Sequence, residues 1–239
     1  MARNDLSKDV ELGNAAGRWL QLAVLRFLTK LFARFNITGL ENVPATGPVI
    51  IIINHIAFLD PVMVFGGIPR RVIPMAKAEA FDIPFWGWFV KIYGTIPVHR
   101  GEVDMSAIKS ALRILKQGGI ILMAPEGTRS PSYQLQPAKD GATILALRSG
   151  AQVLPIGVTG THRVKAHLQK LKRVPIHLSI GRPFWLQSSE GNGRLSRDAL
   201  PAATKQMMYR LAAQLPPEFR GVYGNVEEAQ ETYLVPVKD

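Results

Sequence analysis

A chain of 239 residues suits one domain with an appended element and is long enough to bury a sizeable core. Its 47% hydrophobic and 20% charged residues describe a globular protein rather than a disordered one. The absence of cysteine excludes disulfides, thiolate zinc sites and a cysteine nucleophile. The 29 basic and 18 acidic side chains leave a net charge of +11, which favours an anionic partner: nucleic acid, an anionic membrane or an acidic carrier protein.

A membrane span needs ~20 consecutive apolar residues. The uncharged stretch 42–59 carries Pro44, Gly47, Pro48, Asn54 and His55, and the stretch 15–35 is interrupted by Arg18, Arg26, Lys30 and Arg34, so neither spans well. The opening MARNDLSKDVELGN places acidic residues before its apolar stretch and shows no small-residue cleavage site, so no secretory signal is expected. Residues 18–35 read instead as one amphipathic helix. At ~100° per residue, Leu20, Val24, Leu25, Phe27, Leu28, Leu31, Phe32 and Phe35 share an arc of about 160° that only Gln21 interrupts. Arg26, Lys30 and Arg34 follow one another at i, i+4 on another side, with Trp19 between the faces. Two readings fit. The helix lies in a membrane interface, with Trp19, Arg26, Phe27, Lys30, Leu31 and Arg34 against lipid, or it packs on its own domain, which shows the same periodicity.

After Gly39 the texture turns α/β. Residues 49–53 (VIIII) predict a strand buried on both faces. Asp60-Pro61 predicts a helix start, with Asp60 as N-cap. Strands are predicted over 72–75 and 95–98, and a helix over 106–116, with Ala107, Ile108, Ala111, Leu112 and Leu115 on one face and Gly118-Gly119 closing it. A strand over 120–124 runs straight into the turn PEGTRS. Helix 138–149, strands 153–158 and 176–180, and helix 198–215 complete the pattern. Strands alternating with helices predict a central, mainly parallel or mixed sheet flanked by helices. Three regions are expected: an N-terminal amphipathic membrane-associating segment over 1–37, a main domain over 38–215, and a surface-bound or loose tail over 216–239.

In such a sheet functional groups collect outside the carboxyl ends of the strands. Three segments end a strand there with polar residues: 54–60, 94–100 and 125–129. His55, just past a buried strand, and Asp60, five residues on, can form a base and its orienter: the carboxylate fixes one ring nitrogen and the other takes a proton from an alcohol. No serine, threonine or cysteine of nucleophile-elbow type accompanies them, so direct attack by a substrate hydroxyl is the simpler chemistry. The competing reading makes Asp60 a helix cap and His55 a turn residue. In PEGTR, Arg129 offers a planar fork for phosphate, Gly127 allows close backbone approach, and Thr128 can donate a hydrogen bond. Glu126 repels anions and is expected to tie down the loop or a nearby arginine.

Asn54-His55-x-x-x-x-Asp60, Gly94-x-Ile96-x-x-x-Arg100, Pro125-Glu126-Gly127-Thr128-Arg129-Ser130 and Val153-x-Pro155-Ile156-x-Val158 occur in that order. Together they resemble the four signature blocks of the glycerolphosphate acyltransferase superfamily, most closely the bacterial 1-acylglycerol-3-phosphate acyltransferases. Lys77-x-Glu79-x-Phe81-x-x-Pro84-x-x-Gly87, between the first two blocks, is similar as well. The likeness covers roughly residues 38–185. It implies His55 as general base and Asp60 as its orienting partner. Arg100, Glu126, Gly127, Thr128 and Arg129 would form the acceptor site, with the arginines on the glycerol phosphate, and Pro155 would shape the acyl or acceptor pocket. Ala57, His99 and Ala124 depart from the family pattern and spare these chemical groups.

Phe81, Phe85, Trp86, Trp88 and Phe89 crowd around Pro84 and Gly87, as an interfacial patch, an acyl-tunnel wall or core. Residues 161–173 (THRVKAHLQKLKR) carry Arg163, Lys165, Lys170, Lys172 and Arg173, suited to anionic lipid or to an acidic acyl carrier protein. No nucleic-acid motif is present, and the aromatics sit with aliphatics rather than between cations. The resulting expectation is a peripheral, monotopic enzyme on the cytoplasmic face of the cell membrane. It joins an acyl-ACP or acyl-CoA co-substrate to lysophosphatidate, without metal or other cofactor and without nucleic acid. The alternatives are another lysophospholipid or aminolipid acceptor, and a non-catalytic membrane-binding protein.

Overall fold

The computed structural model describes residues 15–84, 86–99, 104–187 and 199–237. Helix α1 (Ala15–Phe32) runs without a loop into strand β1 (Ala33–Thr38). There follow β2 (Val49–Ile53), α2 (Asp60–Gly67), β3 (Val72–Lys77), α3 (Trp86–Tyr93), β4 (Ile96–Val98), α4 (Met105–Lys116) and β5 (Ile120–Met123). Then come α5 (Gly141–Ser149), β6 (Gln152–Thr159), α6 (Val164–Gln169), β7 (Val174–Ile180), β8 (Phe184–Leu186), α7 (Ala199–Ala212) and β9 (Leu234–Pro236). The strands join in the order β1-β7-β6-β2-β5-β3-β4, with β8 pairing β6 and β9 at the side. From β6 to β4 the neighbours are parallel. β7 is antiparallel to β6, and β1 is parallel to β7, so these two run the opposite way.

Strand periodicity distributes the VIIII run. Ile50 and Ile52 face a core built with α4, α5 and α7, whereas Val49, Ile51 and Ile53 face one built with α1, α2 and Tyr93. A continuous apolar run is what a strand covered on both faces requires. Asp104 caps α4, its carboxylate accepting from the Ser106 and Ala107 N–H groups. Gly87 is needed where α3 begins: a Cβ there would lie 2.0 Å from the Phe81 carbonyl oxygen. At the end of the sheet where the parallel strands start, the Arg70 guanidinium donates to the carbonyls of Pro44, Gly47 and Gly118.

Three expectations change. The helix ends at Phe32 rather than Phe35, and residues 33–38 join the sheet as an edge strand, so the N-terminal segment runs directly into the α/β body. Phe35 sits i+3 and i+4 from Phe32 and Leu31, which is why it extended the helical arc. The segment beyond residue 215 is packed rather than loose: Tyr223 and Leu234 are buried, and β9 pairs with β8. Asp60 is the first helical residue, the cap position falls to Leu59, and no side-chain cap bond forms there. Among the described residues, no helix is long and apolar enough to cross a membrane.

If β9 is part of the folded body, Leu234→Ala should lower the unfolding free energy by about 2–3 kcal/mol, the low end for such truncations because the strand lies at the margin of the sheet. A denaturant melt showing no loss would return the segment to the status of a tail.

Candidate active site

β2 ends at Ile53, and Asn54 continues its pairing with a side chain. The Asn54 amide donates to the Val158 carbonyl at 2.9 Å and accepts from the Val158 N–H at 2.7 Å, both buried. This fixes the exit of β2 against β6 and aims the next residue, His55, at the carboxyl edge of the sheet.

The His55 Nδ1 lies 3.0 Å from Asp60 Oδ2. That same oxygen accepts from the backbone N–H groups of Ile56 and Ala57, each at 2.7 Å. Oδ1 accepts from the Thr161 hydroxyl at 2.5 Å. Asp60 is fully buried, whereas the His55 side chain keeps 22% of its surface exposed. A buried carboxylate needs such donors. With Asp60 accepting, Nδ1 carries the proton and Nε2 presents its lone pair, which has no protein partner among the described residues. The expected base-and-orienter geometry is therefore present. Asp60 serves the loop that precedes its helix, not the helix terminus.

The PEGTRS turn grips His55 from the other side. Glu126 Oε1 accepts from the His55 backbone N–H at 2.9 Å, and Oε2 accepts from Gln136 N–H at 3.0 Å. The Ser130 N–H donates to the His55 carbonyl at 2.7 Å. Burial pushes the Glu126 carboxyl above its ordinary value, and the two backbone donors pull it back in part. Glu126 thus ties down the loop, as its charge suggests, and its partners are backbone N–H groups rather than an arginine. Gly127 has φ +69°, and a Cβ there would sit 3.3 Å from the Lys139 side chain. Thr128 and Arg129 are exposed on the outer side of the turn.

The remaining expected site residues fall as follows. Arg100 lies outside the described residues. Its neighbour His99 is held by Asp104, whose carboxylate accepts from the His99 N–H and ring Nδ1, each at 2.9 Å. Pro155 is buried within β6 in register with Ile52, and its carbonyl accepts from Gly181 N–H, so it sits in the sheet some way below the edge. On α1, Phe27, Lys30 and Leu31 are exposed, as is Arg34 at the start of β1. Arg26 turns inward to donate to the Ile68 carbonyl at 3.0 Å, which removes it from the expected lipid face. The Trp19 side chain lies outside the described set, as do Phe85 and the side chains of Trp86 and Phe89, whereas Trp88 is exposed. Thr161 and Lys139 join the site without having been singled out, and Ser130, quoted in the third block without a role, does so through its backbone N–H. Thr161 opens the basic segment, and no spacing in the sequence connects residue 161 to residue 60. Past Thr161, His162 packs on Tyr133, with ring centroids 4.9 Å apart. It also borders a cleft of about 500 Å³ that Arg34, Arg163, His177 and Phe219 help to line.

A histidine oriented by a buried carboxylate and open at its other nitrogen, on the carboxyl edge of an α/β sheet, is an arrangement for taking a proton from an alcohol. The family model described as Acyltransferase matches residues 34–159, just over half of the chain, and the chain belongs to that family. His55, Asp60 and the PEGTR turn lie inside the match, and Thr161 lies two residues beyond it. Among individual relatives, the chain is 32% identical over 136 residues to the chloroplastic 1-acyl-sn-glycerol-3-phosphate acyltransferase of Arabidopsis thaliana, covering 56% of this chain and 38% of that one. It is 29% identical over 188 residues to the 1-acyl-sn-glycerol-3-phosphate acyltransferase of Bacillus subtilis, covering 78% and 91%. The chain spans only about half (51%) of the Borreliella burgdorferi relative of the same name. The crystal structure of the 1-acyl-sn-glycerophosphate acyltransferase of Thermotoga maritima shares the fold, with a TM-score of 0.58 at 23% identity over 85% of this chain and 86% of that one.

Thr161→Val tests the link to β6. It leaves Asp60 Oδ1 buried without its donor, which should cost about 1–3 kcal/mol, and Thr161→Ser should restore most of it. Equal melts for the valine and serine variants would show that the hydroxyl does not hold Asp60.

Proposed function

We propose that this protein is a 1-acylglycerol-3-phosphate O-acyltransferase that works at a membrane surface, on its cytoplasmic face, without a metal or other cofactor. The observation that carries the reading is His55, with Nδ1 on Asp60 and Nε2 open. The names of relatives spread across plants and bacteria support the acceptor. The net charge of +11 suits an anionic lipid or carrier.

In this mechanism the free hydroxyl of lysophosphatidate gives its proton to His55 Nε2 as its oxygen attacks the thioester carbonyl carbon. The imidazolium that forms lies against the Asp60 carboxylate, an ion pair stronger than the bond from neutral imidazole that it replaces. The tetrahedral intermediate then expels the thiolate of the acyl-ACP or acyl-CoA donor. That thiolate takes the proton from His55, leaving phosphatidate and a free thiol. Arg129, exposed beside the left-handed Gly127, holds the acceptor phosphate together with Thr128, and Arg100 assists. The Glu126 carboxylate binds no substrate and keeps the turn on the histidine backbone.

Purified full chain, offered a panel of lysolipids with both donor types, should release thiol with lysophosphatidate and far less with acceptors lacking the phosphate. Thiol release on another lysolipid alone would move the acceptor assignment, and release on none would overturn the reading.

His55→Ala should lower turnover by about 10²–10⁴-fold. Asp60→Asn keeps the geometry if its amide oxygen takes the Oδ2 position and its NH2 faces the Thr161 hydroxyl, which then accepts. The fold should survive, while the counter-charge to the imidazolium is lost, for a drop of about 10- to 100-fold. The double variant should be little worse than His55→Ala. Near-normal turnover in a well-folded Asp60→Asn would reduce Asp60 to a turn former.

Arg129→Lys keeps charge but loses the bidentate fork. Its loss of activity should be large on lysophosphatidate and small on an analogue without phosphate, and equal losses on both would make Arg129 structural.

A further inference from the structure

The turn between α6 and β7 places a leucine where apolar side chains are rarely found. Leu171 is 96% exposed and holds φ +51°, a left-handed conformation that asparagine or glycine adopts more readily. The turn is nonetheless well formed, with Leu171 N–H donating to Leu168 O and Lys172 N–H to His167 O, both at 3.0 Å. Leu168 is exposed beside it, and Lys170 and Lys172 flank the tip.

This turn is joined to α1. The Arg173 guanidinium donates to the Lys30 carbonyl and, at 2.6 Å, to the Ala33 carbonyl. Helix α1 shows two faces: Leu25 and Thr29 are buried, whereas Val24, Phe27, Leu28, Leu31 and Phe32, at i, i+3, i+4, i+7 and i+8, are exposed. The outward stripe is thus the more apolar of the two, with Phe27 at 66% exposure. Neither the described helix nor the 161–173 segment contains an acidic residue.

Strand directions place both features near the site. The carboxyl end of β6 lies beside that of β2, from which His55 emerges, and Thr159 pairs with His177. The start of β7, and with it the Ala33 end of β1, therefore lies at the His55 edge of the sheet.

We propose that the 168–172 turn is a second lipid-contacting element, seating Leu168 and Leu171 in an anionic bilayer beside the α1 stripe, with Lys170 and Lys172 at headgroup level. The proposal rests on the reading of the protein as a membrane-surface enzyme. Protruding apolar tips flanked by cations alone suit a soft anionic surface that can close around them. Acidic groups on a carrier protein would account for the lysines and not for two exposed leucines between and beside them.

The absence of native cysteine makes the test direct. Leu171→Cys, Phe27→Cys and, as a control on the segment packed against α7, Glu227→Cys are each labelled in the full chain with an environment-sensitive fluorophore. They are mixed with vesicles of equal parts phosphatidylglycerol and phosphatidylcholine. The probes at 171 and 27 should shift to the blue and be quenched by nitroxide on the lipid acyl chains, and the probe at 227 should not. Replacing Leu168 and Leu171 together with asparagine should weaken vesicle partitioning roughly tenfold. The melt should be unchanged, because asparagine suits the left-handed position. Response at 27 without response at 171 overturns the proposal and leaves α1 as an anchor. Failure of the unlabelled protein to sediment with vesicles overturns both the proposal and the membrane reading, while the thiol-release assay in detergent still judges the chemistry separately. A probe at 171 that responds to acyl carrier protein and not to vesicles overturns the proposal and assigns the turn to the donor.

Discussion

The buried carboxylate of Asp60 organises this site. One oxygen receives the His55 ring and two backbone N–H groups, and the other receives the Thr161 hydroxyl. A fully buried carboxylate is costly to leave short of donors, typically about 3–5 kcal/mol when a buried pair is broken. The same bonds that satisfy it also dictate where the loop after β2, the histidine ring and the end of β6 lie. Glu126 repeats the device on the backbone side, with one oxygen on His55 N–H and the other on Gln136 N–H. Two buried acids from distant parts of the chain thus hold one histidine from two directions. The side chain is left partly exposed, with its Nδ1 held and little freedom to turn away.

Charge is divided along the PEGTR turn by the same logic. Glu126, the group that would repel a phosphate, is withdrawn beneath the turn and bonded to two backbone N–H groups, whereas Thr128 and Arg129 stay outside. Gly127 makes this division possible: its left-handed φ reverses the chain between the buried acid and the exposed cation, and Lys139 occupies the space a side chain would need. An anion approaching from solvent meets the guanidinium and not the carboxylate.

The reversal of β7 and β1 against the rest of the sheet has a consequence for the whole molecule. Had β1 run with β2, the end of α1 would lie at the opposite edge, where Arg70 gathers its three carbonyls. Antiparallel pairing of β6 with β7 brings the Arg173 anchor, the last turn of α1 and the His55 edge to one end of the sheet. On the proposed reaction, a lipid acceptor and product would meet the exposed apolar stripe of α1 and the histidine at the same end of the sheet.

The sequence by itself determined the α/β class, because VIIII and the strand-like runs at 120–124 and 153–158 alternate with amphipathic helices and glycine-terminated turns. It also singled out His55, Asp60 and the PEGTR turn, because ordered short blocks carry local chemistry that linear spacing preserves. It could not supply Thr161, the backbone role of Asn54 or the partner of Glu126, since those bonds join residues 71 to 104 positions apart and only the tertiary fold brings them together. It left Asp60 with two readings, orienter of His55 and helix cap, because an acid before proline at a helix start looks the same whether its oxygens turn toward the helix or back toward the preceding loop. Arg26, too, shares the i, i+4 spacing of Lys30 and Arg34, and only packing against α2 sends it inward to Ile68. Periodicity assigns a side chain to a face of its own element. Which neighbour covers that face is a property of the tertiary structure, because it depends on strand direction and order, and these are not written in any local stretch of the chain.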